Sequence, residues 1–238
     1  MDMRPYGDSA FVITLGTSPD PALSRRIAAL RRILVAAHPP GLLDAIAGFV
    51  TLTVLFDPDV ASMETLAETA RALVPDAAHA PPRRQWTIPV CYDADCGPDL
   101  RDAAAATNLS EQEFVRVHSA GSYTVYLLGF SPGFPYLGAL DDRLALPRHR
   151  EPRPRVPAGS VAIATRYTAI YPQETAGGWH LIGRTPLRLF EPGRDEPALL
   201  QAGDAVRFNP IARNEYDRLA TQVDAGTYAP RCEEIASS

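Results

Sequence analysis

Apolar positions in the N-terminal third alternate between the two periods that distinguish strands from helices. Residues 11–15 read as a strand, and 21–37 follow with Leu23, Ile27, Leu30 and Leu34 at helical spacing. Arg25, Arg26, Arg31 and Arg32 fall largely off that stripe. Residues 42–47 and 49–56 read as two strands joined at Gly48. Residues 62–73 predict a second helix, capped by Ser62, with Met63, Leu66 and Ala70 on its buried face. This β-α-β-β-α order fits a ferredoxin-like split βαβ unit.

The Ala/Pro-rich run 75–84 has no hydrophobic period and reads as a linker. It separates an N-terminal α+β domain, 1–80, from a second domain, 85–238. The second domain opens with a strand at 85–92, and Gly97-Pro98 places proline at the first position of a helix. Ser110, with Glu113 three residues on, is a capping-box pattern for another helix, whose buried face holds Phe114 and Val117. His118 closes that helix, where an imidazolium suits the C-terminal end of the dipole.

From 127 to 186, short β-type runs alternate with Gly and Pro. Strands are expected at 124–128, 161–165, 168–171 and 179–182, then at 187–190 and 205–208. Such spacing is that of a small all-β sandwich or barrel with proline at edges and turns. Gly177-Gly178 is a hairpin-type signal before Trp179, and alternation puts Trp179 and Leu181 on one face, His180 and Ile182 on the other. Residues 211–223 read as helical or irregular, and 226–238 as a frayed tail.

Composition narrows the function. All 23 basic residues are arginine. The absence of lysine excludes a Walker A lysine, a Schiff-base lysine and a kinase-type lysine. Any phosphate handled here must meet arginine, main-chain N–H groups, a metal or a partner. A net charge of −5 argues against nucleic acid as the main partner. No apolar run approaches bilayer length, no secretory signal opens the chain, and three cysteines are too few for a disulfide scaffold, so the expected location is cytoplasmic. Cys91 and Cys96 read as two unconnected thiols, since one pair at that spacing is a weak zinc signal.

Gly129-Phe130-Ser131-Pro132-Gly133 matches the pattern of a hydrolase nucleophile elbow, but Pro132 has no N–H to give an oxyanion. Arg143, Arg148, Arg150, Arg153 and Arg155 form a stiff basic arm, held extended by Pro147, Pro152, Pro154 and Pro157. Such an arm suits a carboxylate, a phosphate or an acidic partner surface; it also suits a solvated connection between strands. Tyr171, Glu174, Trp179, His180 and Arg184 gather around the Gly-Gly pair, and no Asp/Glu/His set there has the spacing of a metal site.

GFSPGFPYLG (129–138), RPRVPAGSVAIA (153–164), IYPQETAGGWHLIGRTP (170–186) and YGDSA (6–10) closely resemble the KipI family, the 5-oxoprolinase B subunits formerly called allophanate hydrolase subunit 1. The resemblance covers essentially the whole chain. It implies an N-terminal α+β domain followed by a cyclophilin-like β-barrel domain. The implied activity is ATP-dependent opening of 5-oxo-L-proline to L-glutamate, in complex with 5-oxoprolinase A and C subunits, of which the C type is homologous to this chain. ATP and Mg are then cofactors of the complex, with a site shared between its polypeptides.

Chemistry placed on the family motifs names Glu174 and His118 as catalytic candidates. Arg155 and Arg184 are candidate carboxylate or phosphate clamps, Ser160 and Tyr171 orienting groups, and Gly177 and Gly178 a main-chain anion nest; no residue is expected to bind metal. The family also implies a rival role, non-catalytic inhibition of a sporulation histidine kinase. Related modules occur in biotin-dependent amide carboxylases, although no biotinyl-lysine is possible here.

Overall fold

A computed structural model describes residues 1–74 and 83–235, which form two compact units, Met1–Arg83 and Arg84–Ile235. Most of the segment read as a linker lies outside the described residues. No described helix is long and apolar enough to cross a membrane.

The first unit runs β1 (Asp2–Pro5), β2 (Ala10–Thr14), α1 (Pro21–Ala37), β3 (Leu42–Ala47), β4 (Thr51–Phe56) and α2 (Met63–Ala72). Asp20 starts α1 by accepting the N–H groups of Ala22 and Leu23, with Pro21 at the first helical position. Ser62 caps α2 through the N–H of Thr65, as expected. The sheet order is β1-β2-β4-β3, antiparallel throughout. Its core joins Phe11, Ile13, Leu52 and Val54 of the sheet to Ile27, Leu30 and Leu34 of α1 and Leu66 of α2. The strand β1 is absent from the pattern-based reading. Asp2-Met3-Arg4-Pro5 is nearly all exposed and held by main-chain pairing to β2, so it carries no apolar alternation.

The second unit contains β5 (Arg83–Cys91), α3 (Leu100–Ala106), α4 (Glu111–Ala120), β6 (Tyr123–Leu128), β7 (Pro135–Gly138), β8 (Arg153–Val156), β9 (Ser160–Ala164), β10 (Tyr167–Ile170), β11 (Thr175–Gly177), β12 (His180–Arg184), β13 (Ala205–Ile211), α5 (Arg213–Asp224) and β14 (Arg231–Ile235). Strands run in the order β12-β9-β10-β7-β6-β13-β5, and pairing of Arg184 with Cys91 brings β12 back to β5, closing a seven-stranded barrel. The pair β13–β5 is parallel, in register from Ala205↔Gln85 to Ile211↔Cys91. The chain is therefore an α+β protein.

β9 is buried on both faces. Val161 and Ile163 join a core with Leu100, Phe114 and Val117 of the helices, whereas Ala162 and Ala164 join Phe134, Tyr171, Trp179 and Leu181. Trp179 and Leu181 share one cluster and Ile182 lies in the other, as strand alternation requires.

Four local expectations need correction. Gly177-Gly178 is no hairpin: β11 pairs with β8, not β12. Glycine at 177 answers packing, since a Cβ there would sit 2.3 Å from the Tyr171 hydroxyl. The expected tail contains β14, added to the β5 edge by backbone bonds with almost no burial. Residues 187–190 form only an isolated bridge, Phe190 to Ala198. Pro98 does not open α3, which begins at Leu100.

Asp204 braces the barrel. Its buried carboxylate accepts Nε and Nη2 of Arg84 (3.1 and 3.0 Å), Trp86 Nε1 (3.0 Å) and the Gln201 N–H (2.8 Å). Removing the carboxylate leaves the part-buried Arg84 with Glu196 alone and the Trp86 indole N–H without its acceptor. Asp204→Ala is expected to lower unfolding free energy by about 3 kcal/mol, read as a fall in urea midpoint at unchanged slope.

Candidate functional site

Asp99 stands at the N-terminal boundary of α3, where a carboxylate ordinarily accepts its own helix's first N–H groups. It makes no such bond. Its side chain, on a residue only 6% exposed, turns instead toward β8 and β12. Oδ1 accepts Nη2 of Arg153, and Oδ2 accepts the N–H of Leu181 at 2.7 Å. The N–H of Asp99 in turn donates to the carbonyl of Leu181 at 2.9 Å. Gly97 permits this approach, since a Cβ there would lie 2.3 Å from the carbonyl oxygen of Ile182.

Two imidazoles complete the cluster. His149 Nε2 lies 3.5 Å from Asp99 Oδ2, and the His149 and His180 rings are 4.0 Å apart between centroids. The His149 main chain is fixed by its N–H donating to Gly178 O at 2.8 Å. His180 Nε2 sits 2.8 Å from the carbonyl oxygen of Pro147. A carbonyl only accepts, so Nε2 is the donor, and the neutral ring carries its lone pair on Nδ1. Burial, more than any neighbouring charge, lowers the His180 pKa. Three buried atoms in this cluster have no hydrogen-bond partner among the described residues: His149 Nε2, Arg153 Nη1 and His180 Nδ1.

The predicted site residues fall into three places. Arg155 and Glu174 face one another across the β8–β11 ribbon at 3.9 Å, with side chains 83% and 60% exposed. Ser160, Tyr171 and Arg184 gather at the ends of β9, β10 and β12. Ser160 pairs with Arg184, the Tyr171 N–H donates to Ser160 O at 2.9 Å, and Arg184 Nε donates to Ala158 O at 3.0 Å. Gly177 packs on the buried Tyr171, and Gly178 lies beside His149. Tyr171 is thus walled in by Phe134 and Trp179.

His118 is apart from all of these. It is fully buried, its ring stacked 4.6 Å from Phe208. Nδ1 is 2.8 Å from the Tyr92 hydroxyl, and Nε2 is 3.0 Å from Thr168 Oγ1. Thr168 gives its proton to Ala162 O at 3.0 Å, so its oxygen accepts from His118 Nε2 and Nδ1 accepts from Tyr92. Both nitrogens are satisfied with the ring neutral. Burial lowers its pKa to about 3. His118 lies in the last turn of its helix, as expected, but as a neutral ring and not an imidazolium.

Sequence reasoning passed over Asp99 and His149, and saw Arg153 and His180 only as part of the basic arm and of a strand face. The signal available was Gly97-Pro98-Asp99, a turn that places a capping-type residue immediately before α3. The thiols of Cys91 and Cys96 are also in contact: a hydrogen bond from one to the other adds to burial in pushing Cys96 up to about 12, and both remain free. A groove of about 300 Å³ beside α4, lined by Arg116, Tyr123, Asp141 and Arg143, contains none of the predicted site residues.

The profile described as "Carboxyltransferase domain, subdomain C and D" matches residues 1–200, and the chain belongs to that family. Within it the chain is similar to the B subunits of 5-oxoprolinase. It is 39% identical to that of Bacillus subtilis (strain 168) over 88% of this chain and 92% of the relative. It is 44% identical to that of Escherichia coli O157:H7 over 86% and 93%. Among solved structures, TTHA0988 superposes with TM-score 0.77 at 39% identity, covering 85% of this chain. The chain spans only 39% of that protein. The urea amidolyase of K. lactis superposes with TM-score 0.74 over 98% of this chain and 16% of its own, at 20% identity, a likeness of fold alone.

The neutral His118 generates a pH prediction. In the unfolded chain an exposed histidine takes up a proton near its ordinary value of 6.5, whereas the folded ring refuses it until about 3. Stability is therefore complete above the upper value and lost as pH falls toward the lower one. Between about pH 7 and about pH 5 this one residue is expected to remove about 2 kcal/mol. Urea denaturation at the two pH values should show a smaller loss for His118→Gln than for the wild type.

Proposed function

We propose that this chain is the B subunit of an ATP-dependent 5-oxoprolinase, opening 5-oxo-L-proline to L-glutamate together with A and C subunits, the C type being its homologue. The observation that carries this reading is the similarity to three curated 5-oxoprolinase B subunits, 38–44% identical over most of both chains. The N-terminal unit, with β2-β4-β3 as its central strand order, is read as a ferredoxin-like variant whose fourth strand position is taken by β1. The second is read as a cyclophilin-like barrel; each is a separate domain, and the setting is cytoplasmic.

A five-membered lactam is a resonance-stabilised amide, and ATP with magnesium would supply the phosphate that activates its carbonyl oxygen. The residues of this chain suit the anionic parts of such a reaction. Arg155 projects a guanidinium with only a long approach to Glu174, open to a carboxylate or phosphate. Arg184 is oriented through Nε on Ala158 O. Glu174 lies beside Arg155 as the carboxylate available to accept a proton, and Ser160, Tyr171, Gly177 and Gly178 shape the neighbouring wall. His118, with both nitrogens committed in the core, acts through the shape of the barrel and not on the substrate. A surface this open needs a second polypeptide to exclude water, and the working site is therefore read as lying between the B and C subunits.

Purified alone, the chain is expected to show no 5-oxoproline-dependent ATP turnover, and turnover should appear when the A and C subunits are added. Robust turnover by the isolated chain would sink the shared site; none in the full mixture would sink the 5-oxoprolinase reading. In the assembled enzyme, Arg155→Ala is expected to reduce turnover at least about tenfold while shifting the melting temperature by no more than about 2 °C. A parallel loss of melting temperature would assign Arg155 to the fold.

A further inference from the structure

Lone pairs converge between α3, the segment after β7 and β12. Asp99, His149 and His180 each offer one ligand atom, a carboxylate oxygen or a ring nitrogen, and these atoms all lie within 4.8 Å of one another. His149 Nε2 and His180 Nδ1 are buried and find no hydrogen-bond partner among the described residues. His180 Nε2 is committed as donor to Pro147 O, so its Nδ1 carries the lone pair, and the His149 ring lies 4.0 Å away between centroids. His149 Nε2, 3.5 Å from Asp99 Oδ2, joins them as a ligand atom when its ring carries the proton on Nδ1.

We infer that Asp99, His149 and His180 form a binding site for a divalent transition metal of the zinc class. Metal–nitrogen bonds of about 2.1 Å in a tetrahedron put ligand atoms roughly 3.4 Å apart. His149 Nε2 and Asp99 Oδ2 are 3.5 Å apart. A metal-binding histidine commonly gives its other N–H to a main-chain carbonyl, which is the bond His180 makes to Pro147. Two imidazoles and one carboxylate favour zinc, cobalt or nickel over magnesium. An anion fits less well, because the carboxylate and the Nδ1 lone pair both face the space it would fill. Three protein ligands leave a fourth position open to water or substrate. The inference is independent of the 5-oxoprolinase reading, whose magnesium is a separate ion.

Arg153 gives the site a signature. Its guanidinium holds Asp99 Oδ1 and places a second positive charge beside the ion. Replacing it by a neutral residue should tighten metal binding, whereas an anion site would be weakened by the same change.

The test is calorimetric titration of the full chain, stripped of metal, with zinc chloride, and visible spectroscopy with cobalt(II). One zinc per chain is expected, with a cobalt d–d band of low-symmetry, four-coordinate type. His149→Ala and His180→Ala should each weaken zinc binding at least about tenfold. His180→Gln, whose amide N–H retains a donor for Pro147, should do the same while keeping the loop in place. Arg153→Met should bind zinc more tightly than the wild type, and Cys91→Ser with Cys96→Ser should bind it equally. The proposal is overturned by absence of saturable zinc binding, by binding that survives loss of both histidines or disappears with the cysteines, or by weaker binding in Arg153→Met.

Discussion

The carboxylate of Asp99 is the constraint on which the joining of α3 to β8 and β12 turns. A charge taken out of water is costly unless it is both paired and hydrogen-bonded, and Asp99 has Arg153 for the first and the Leu181 N–H for the second. To make these bonds it leaves α3 without a side-chain cap. A lost cap costs about 1 kcal/mol, whereas breaking a buried ion pair costs about 3–5 kcal/mol. The ion pair outweighs the cap, and the carboxylate ties the start of α3 to β8 and β12. Those three segments are far apart in sequence, so one side chain fixes a long-range arrangement that helix and strand propensities leave undetermined.

Comparison with the other buried polar groups shows what is unusual about this place. Asp204 is closed: Arg84, Trp86 and Gln201 satisfy its oxygens. His118 is closed too, with Tyr92 on one nitrogen and Thr168 on the other. Both sets are accounted for by the stability of the barrel. Around Asp99, by contrast, the carboxylate is satisfied while His149, Arg153 and His180 each keep a buried nitrogen without a partner among the described residues. Each such atom costs about 1–3 kcal/mol when buried unmade, a cost that neither Asp204 nor His118 carries.

What was legible in the sequence follows the same division between local and long-range physics. Apolar spacing located α1 to its full extent and α2 within a residue or two, because each buries one stripe. Ser62 and Ser110 were readable as caps because a cap acts within three residues. β1 and β14 were not, since backbone pairing to a distant strand leaves no mark on exposed, charged residues. The Gly-Gly pair misled for a related reason: glycine at 177 is required by the Tyr171 ring, a contact across the fold, and not by a turn. Arg155 and Glu174 were named separately, from residue chemistry on recognised motifs; that they approach to 3.9 Å was not readable, because it follows from the pairing of β8 with β11. Asp99 and His149 were hidden, because Asp99 looks like an ordinary helix cap and His149 like one more polar residue of a proline-rich connection.

A fold shared at 20% identity with a urea amidolyase can host different reactions, so the barrel itself does not choose among them. The choice must come from groups whose placement stability does not explain. Two such sets are anchored on β8: the exposed Arg155–Glu174 pair, and the buried cluster reached by Arg153 two residues earlier. Both depend on the β8–β11 ribbon, in which Arg153 pairs with Gly177 and Val156 with Thr175. Proline on either side keeps that ribbon extended, and the bulge between Thr175 and Gly177 sets its local twist. The ribbon thus holds an exposed guanidinium, Arg155, and a part-buried one, Arg153, in fixed relation two residues apart on one strand.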